Sequence, residues 1–501
     1  MEEKKSEKYI IAFFILIFLL GLFIRFYLIN LRPMSLDEST HWFFFLDRVY
    51  HGEYLYYFPD YHGFTSWYIA MIPLYFLELS LFSLRLMPVL FGSLTIFLFF
   101  FLRKEIGMPG AIFSSLFLAI SPSFVYYSEI LSQYPFLNFF MLLTFIFLVY
   151  FFKTFNKNYL YLFAVSCGLF FTIHENFIIF LFAIVSFAFL YYSFNFSGEK
   201  SISNLIKKKN LNYKTIAIAL LLFGITIIII MSCFFSNWES LFGFLTKFMF
   251  HFNKAVSINN RPFFYYFSTF YNIELFTFLF SFLSLFFIRK NNYFELFVFY
   301  WAATSFFIFS MISYKLPWIF TAVLIPMYVL SGIAVTNIYR KIKHSSVYKL
   351  LFILFFIALF SVTLYKTVDL TYFNHSSDPD KNPLNLAGTT YDQYRLVKDL
   401  DFYFSNRTNV SVLIASAHAW PIPYYIRDNN ITLVNSSADR DSVLNLSEYY
   451  DDFEIIFINN ITHYNPLSLD KLATYEIRPG VYLDMLKSKV YHANKSEHLN
   501  I

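Results

Sequence analysis

The stretch YIIAFFILIFLLGLFIRFYLINLRPMSLDESTHW, residues 9–42, decides the fold class. From Tyr9 to about Asn30 it is one apolar run, close to the roughly 20 residues that a membrane-crossing helix needs. The run is long for the apolar core of a secretory leader, and no small-x-small cleavage site follows it. It reads as a retained first helix. Two adjacent carboxylates, Asp37 and Glu38, stand where that helix ends.

The rest of the chain agrees. Of 501 residues, 58% are hydrophobic and only 14% charged, where a soluble domain is about one-quarter charged. The composition is that of a polytopic α-helical membrane protein. The net charge of +5 is modest and reports orientation in the membrane; no nucleic-acid partner is expected. Cys167 and Cys233, the two cysteines, both fall in apolar runs, which supports neither a disulfide framework nor a cysteine metal site.

Ten further apolar segments follow, at about 85–102, 109–127, 135–152, 159–173, 176–194, 214–234, 264–288, 293–312, 317–338 and 348–366. Alternate connecting loops are basic, at Arg103-Lys104, Lys153 with Lys157, Lys207-Lys208-Lys209, Arg289-Lys290 and Arg340-Lys341 with Lys343. Positive residues are retained in the cytoplasm. One arrangement satisfies every loop: N-terminus inside, eleven spans, C-terminus outside. It requires that residues 64–82, interrupted by Pro73 and Glu78, do not cross. This segment and the aromatic stretch 39–52 read as juxtamembrane helices on the outer side.

Beyond about residue 368 the chain turns polar, and its apolar runs shrink to strand length: VSVLIAS 410–416, ITLVN 431–435 and FEIIFIN 453–459. A helical pattern occupies 391–404, and 475–486 suggests a final hairpin. Residues 1–368 thus read as a membrane domain, and 369–501 as a small extracytoplasmic α/β domain. Asn-x-Ser/Thr sequons at Asn374, Asn406, Asn409, Asn430, Asn435, Asn445, Asn460 and Asn494 agree with an outer location.

Ionisable residues at membrane depth point to function, and the expected outer face collects them. Asp37 and Glu38 open the first outer loop, which continues through Asp60 and His62. Glu129 lies in the second, His174-Glu175 in the third, Arg261 in the fourth and Lys315 in the fifth. Glu274 is the main charge inside an apolar run. A site on this face would hold an anionic head group with Lys, Arg or His, and use a carboxylate as base.

The order of SLDES (35–39), GEYLY (52–56) with PDYHG (59–63), RLMPVLFGSLTIFLFFFLRKEIG (85–107), ISPSFVYYSE (120–129) and SYKLPWIFTAVLIP (313–326) resembles the GT-C glycosyltransferases. More narrowly it is similar to the protein O-mannosyltransferase and lipid A aminoarabinose transferase group. The segments YHG, YKLPW and AWPIPYYIRD (419–428) resemble an archaeal subfamily of flippase-activity-associated glycosylation proteins. The resemblance spans nearly the whole chain.

That resemblance implies a polyprenyl-phosphate sugar as donor, used on the extracytoplasmic face of the cell membrane. A protein or lipid-linked glycan hydroxyl would be the acceptor, glycosylated with inversion. Asp37 stands at the family's catalytic base, where the acceptor proton must go; as a helix cap it would also make sense. Glu38 would orient Asp37 or the acceptor, or sit in the first turn of the helix. Lys315 is the first choice for the leaving phosphate. His62 takes the place of a lysine in some relatives, and Arg261 is a candidate by position. Glu129, His174 and Glu175 complete the substrate-facing set. A metal reading of His174-Glu175 needs further ligands at helical spacing, and none follow, so no divalent metal or other cofactor is expected. The Trp-Trp-Asp signature of oligosaccharyltransferases is absent, SNWES (236–240) being the nearest stretch. The competing class is a non-catalytic protein that assists flipping of lipid-linked sugars; it would tolerate loss of the Asp37 carboxylate.

Overall fold

The structure, a computed structural model, describes residues 2–55, 57, 62–194, 212–247, 261–385, 389–405, 407, 409–415, 420–433, 452–459, 469–478 and 481–488. Asp60 and the sequons at Asn406, Asn435, Asn445, Asn460 and Asn494 lie outside these residues. The chain divides into two compact units, residues 1–29 with 48–373 and residues 30–47 with 374–501. The loop bearing Asp37 and Glu38, read from the sequence as part of the membrane domain, groups with the C-terminal segment.

In chain order the main helices are α1 (Glu2–Phe26), α2 (Leu36–His41), α3 (Thr65–Met71), α4 (Leu81–Ile106), α5 (Met108–Ala119), α6 (Pro122–Ser128), α7 (Tyr134–Thr154) and α8 (Lys157–Phe171). Then come α9 (Asn176–Phe194), α10 (Tyr213–Met231), α11 (Tyr265–Phe270), α12 (Leu275–Ser284), α13 (Tyr293–Met311), α14 (Thr321–Ile342), α15 (Ser346–Val368) and α16 (Asp392–Phe404). Each apolar run of the sequence is helical, and two are broken, 109–127 into α5 and α6 and 264–288 into α11 and α12.

Among the described residues, seven helices are long and apolar enough to cross a membrane, and the pair α5–α6, bent by 52°, adds an eighth if counted as one span. The protein is a multi-pass membrane protein. α8, with 15 residues, and α12, with 10, are apolar but short; at about 1.5 Å per residue each stops short of a hydrocarbon core about 30 Å thick. Residues 64–82 form only α3 and a 3-10 turn at Ile72–Tyr75 before α4 begins. Pro73, which has no N–H to donate, sits where a longer helix would have to continue.

In the first unit α14 is central: 89% of its span is buried, against 22% for α1 and 17% each for α10 and α15. It packs on α5, α12 and α13. The α5–α14 crossing is close because both helices carry glycine there. A Cβ on Gly110 would lie 2.0 Å from the Gly332 carbonyl oxygen. The Gly110 N–H donates to Thr336 Oγ1 at 2.9 Å, and Ser114 Oγ donates to the Tyr328 carbonyl at 2.9 Å. Without a hydrophobic force between helices in lipid, small residues and such hydrogen bonds drive packing.

The second unit contains a five-stranded sheet of order β2-β1-β3-β5-β4, built from β1 (Ser411–Ala415), β2 (Asn430–Leu433), β3 (Ile455–Asn459), β4 (Leu469–Arg478) and β5 (Val481–Ser488). β1 pairs in parallel with β2 and β3, while β3–β5 and β4–β5 are antiparallel. Val412, Ile414, Ile455 and Phe457 pack into one apolar cluster with Leu396 and Leu400 of α16, and Leu413, Ile456 and Ile458 into another. Strands buried on both faces read as continuous apolar runs, which is how β1 and β3 stand in the sequence.

Candidate active site

Asp37 and Glu38 lie in the first turn of α2. Ser35 is the N-cap: its Oγ accepts from the Glu38 N–H at 3.3 Å, and Glu38 Oε2 accepts from the Ser35 N–H at 2.9 Å. This reciprocal pair is a capping box. Glu38 is only 1% exposed, and its Oε2 serves the backbone. Asp37 is the second helical residue, half-buried, and not the cap. A carboxylate there is favoured by the helix N-terminus.

Aromatic residues of the C-terminal segment hold this loop. Tyr425 Oη accepts from the Met34 N–H at 2.9 Å, and Tyr394 Oη donates to the Leu31 carbonyl at 2.7 Å. Trp42 meets Tyr424 edge-to-face with ring centroids 5.2 Å apart, and Phe43 meets Trp420 at 5.2 Å. Behind Tyr394 sits His375, whose Nε2 is 3.2 Å from Tyr394 Oη. Burial, and then the nearby Arg32, bring the His375 imidazole down to about 4, so it is neutral at physiological pH.

The other anticipated residues belong to the first unit. Lys315, in the α13–α14 loop, is 2% exposed. Its ammonium donates to the Arg261 carbonyl at 3.0 Å and the Ile312 carbonyl at 2.5 Å. Burial draws it below the ordinary lysine value. Tyr266 Oη braces the same loop, donating to the Leu316 carbonyl at 3.2 Å and accepting from the Leu316 N–H at 3.1 Å. Arg261 lies over the Tyr265 ring at 4.5 Å. The loop reaches towards His174 through rings: Trp318 and Tyr134 have centroids 6.4 Å apart, and Tyr134 and His174 5.7 Å.

His62, His174 and Glu175 come together although 112 residues separate the first two. His62 Nδ1 is 2.5 Å from Glu175 Oε2, and the imidazoles of His62 and His174 stack at 4.0 Å. The backbone makes the meeting: Gly63 N–H donates to the Ile173 carbonyl at 3.3 Å, and Thr65 N–H to the Thr172 carbonyl at 3.1 Å. A Cβ on Gly63 would sit 2.2 Å from the Thr172 carbonyl oxygen, so only glycine allows this approach. Upstream, the Leu55 carbonyl accepts from Ser240 Oγ at 2.8 Å and Asn237 Nδ2 at 3.2 Å.

Glu129, at the end of α6, is buried and interacts electrostatically with Arg25. Arg25 went unnoticed in the sequence, although an ionisable residue inside an apolar span is itself a signal. Its guanidinium donates to the carbonyls of Leu118 at 3.2 Å and Ala119 at 2.9 Å, the last residues of α5. Across the break, Glu274 Oε1 accepts from Ser121 Oγ at 2.6 Å and the Ser123 N–H at 3.1 Å, and Oε2 from Tyr328 Oη at 3.0 Å. A cation on the carbonyl end and a carboxyl acceptor on the amide end match the helix polarity and satisfy the groups the bend exposes. Both cysteines are free and buried.

With this geometry in place, the fold can be identified: it is the GT-C membrane fold. No protein-family model and no curated protein sequence matches the chain. Among solved structures it is similar to ArnT from Cupriavidus metallidurans bound to undecaprenyl phosphate, with a TM-score of 0.67 and 13% identity over 95% of this chain and 98% of that one. It is also similar to the archaeal oligosaccharyltransferase AglB from Archaeoglobus fulgidus in complex with an inhibitory peptide and a dolichol-phosphate, with a TM-score of 0.55 and 14% identity over 91% of this chain and 70% of that one.

Proposed function

We propose that the protein is a membrane glycosyltransferase that moves a sugar from a polyprenyl-phosphate donor to an acceptor hydroxyl on the extracytoplasmic face. The fold shared with ArnT bound to undecaprenyl phosphate, and with AglB bound to a peptide and a dolichol-phosphate, supports a lipid-phosphate donor and admits a protein acceptor. The observation that carries the catalytic assignment is the division of work at residues 35–38. Ser35 and Glu38 cap α2 between them, and the helix does not need Asp37 for that purpose.

In this reading the acceptor oxygen attacks the anomeric carbon, and Asp37 takes the hydroxyl proton as the new C–O bond forms. The bond from the anomeric carbon to the phosphate oxygen breaks, and the lipid phosphate leaves with the electron pair. General-base assistance contributes about 10²–10⁴-fold. The leaving phosphate needs donors and positive charge. Lys315 supplies both by exchanging a backbone carbonyl for a phosphate oxygen, with Arg261 beside it. No metal is required for these steps.

The test is transfer of label from a radiolabelled polyprenyl-phosphate hexose in proteoliposomes, with a membrane extract as acceptor source. Asp37→Asn should lower transfer at least a hundredfold while inserting and folding as wild type. Equal transfer by both proteins would remove Asp37 from the chemistry. No transfer by either, with competent acceptor confirmed, would favour a role in assisting the flipping of lipid-linked sugars.

A further inference from the structure

His62, His174 and Glu175 offer one ligand atom each, all within 4.8 Å of one another. We propose that these three side chains bind a divalent transition-metal ion of the zinc class, and that the ion staples the first outer loop to the α8–α9 turn. Sequence reading assigned the same residues to substrate. It dismissed a metal because no third ligand stood at helical spacing from His174 and Glu175. The fold supplies that ligand from a different loop.

The geometry is close to what an ion needs. Zinc bonds nitrogen and carboxylate oxygen at about 2.0–2.2 Å, so tetrahedral ligands stand about 3.4 Å apart. Glu175 Oε2 is 2.5 Å from His62 Nδ1 and 3.5 Å from His174 Nδ1. Opening the first contact by about 1 Å would admit an ion. The donor set of two imidazoles and one carboxylate suits zinc and its neighbours, and not magnesium or calcium, which take oxygen ligands. The Asn176 N–H donates to His174 Nδ1 at 3.1 Å, a hydrogen bond that an ion on that nitrogen would replace.

The scaffold is built for a fixed approach. His62 has a φ of +63°, a conformation that costs a non-glycine residue about 1 kcal/mol or more, and it turns the chain into the Gly63–Ile173 and Thr65–Thr172 hydrogen bonds. Thr65 Oγ1 and Thr172 Oγ1 add a further bond of 2.6 Å. The side chains are little exposed, 16% for His62, 6% for His174 and 13% for Glu175. An ion held there would therefore be shielded from water.

The experiment uses untagged full-length protein in detergent, stripped with a chelator and titrated with ZnCl2 or CoCl2. Wild type should bind one equivalent, show visible Co²⁺ absorbance, and unfold at a higher temperature with zinc. Affinity should fall as pH is lowered, since binding releases a proton. His174→Ala and the nearly isosteric Glu175→Gln should each weaken binding at least tenfold, with the metal-free unfolding temperature of Glu175→Gln confirming that it folds. No stoichiometric binding by wild type, or equal binding by wild type and both variants, would overturn the proposal. The readout is metal content and absorbance, so it stands or falls separately from the transferase reading.

Discussion

At Ser35 and Glu38 a hydroxyl and a carboxylate exchange hydrogen bonds with each other's backbone, and this local chemistry fixes what the neighbouring Asp37 has to do. Removing a capping side chain costs about 0.5–2 kcal/mol. A second-position carboxylate contributes only through the helix dipole, about 0.3–1 kcal/mol. Glu38→Ala should therefore lower the unfolding temperature of the purified protein more than Asp37→Ala does. Transfer activity should show the opposite order, with Asp37→Ala the more damaging. Both residues were visible in the sequence as adjacent acids after the first span. Which one caps was legible as well, in the Ser-x-x-Glu spacing of residues 35–38, but that spacing went unused while Asp37 was weighed as the cap. Lys315 was legible as a loop lysine, though not its burial beneath two backbone carbonyls.

Helices broken inside apolar runs set a different problem. The α5–α6 bend exposes carbonyls on one side and amides on the other, and in lipid no water covers them. Arg25 and Glu274 do so from α1 and from the α11–α12 break. Glu274→Leu would leave Ser121, the Ser123 N–H and Tyr328 Oη without their acceptor. Each buried neutral donor left unsatisfied costs about 1–3 kcal/mol. We expect markedly lower yield of folded protein and a large drop in unfolding temperature, with Glu274→Gln intermediate because it keeps an acceptor oxygen. An unchanged unfolding temperature in Glu274→Leu would show that the bend needs no such cover. Elements were readable where the pattern is local: β1 and β3 as double-sided apolar runs, α16 from its 3.6-residue period. The breaks at Ile120–Ser121 and Tyr271–Glu274 were not, since both halves are equally apolar and only the charge of Glu274 gave a hint. The meeting of His62 with His174 was not legible at all. It depends on Gly63 passing against Thr172, a contact between loops distant in sequence.

For the whole molecule the open quantity is how many helices cross, and parity makes it measurable. Among the described residues, seven long spans plus the bent pair make eight, which would return the chain to its starting side, put Lys343 opposite the N-terminus, and separate residues 30–47 from residues 374–501, with which they group. Eleven spans, with α8, α9 and the α11–α12 pair crossing as well, put Lys343 on the starting side and residues 374–501 across the membrane. The basic loops decide between these, because Arg103-Lys104, Lys153, Arg289-Lys290 and Arg340-Lys341 all fall on one side only in the second arrangement. Short helices such as α8 would then cross where neighbouring helices, loops or a thinned bilayer cover their ends. The measurement is cysteine labelling in intact cells, on a background with Cys167 and Cys233 replaced by alanine. Asp378→Cys should react with a membrane-impermeant maleimide from outside. Lys343→Cys should react only after permeabilisation. The reverse pattern would invert the eleven-span arrangement, place residues 30–47 and 374–501 on the cytoplasmic side, and require a donor presented there instead.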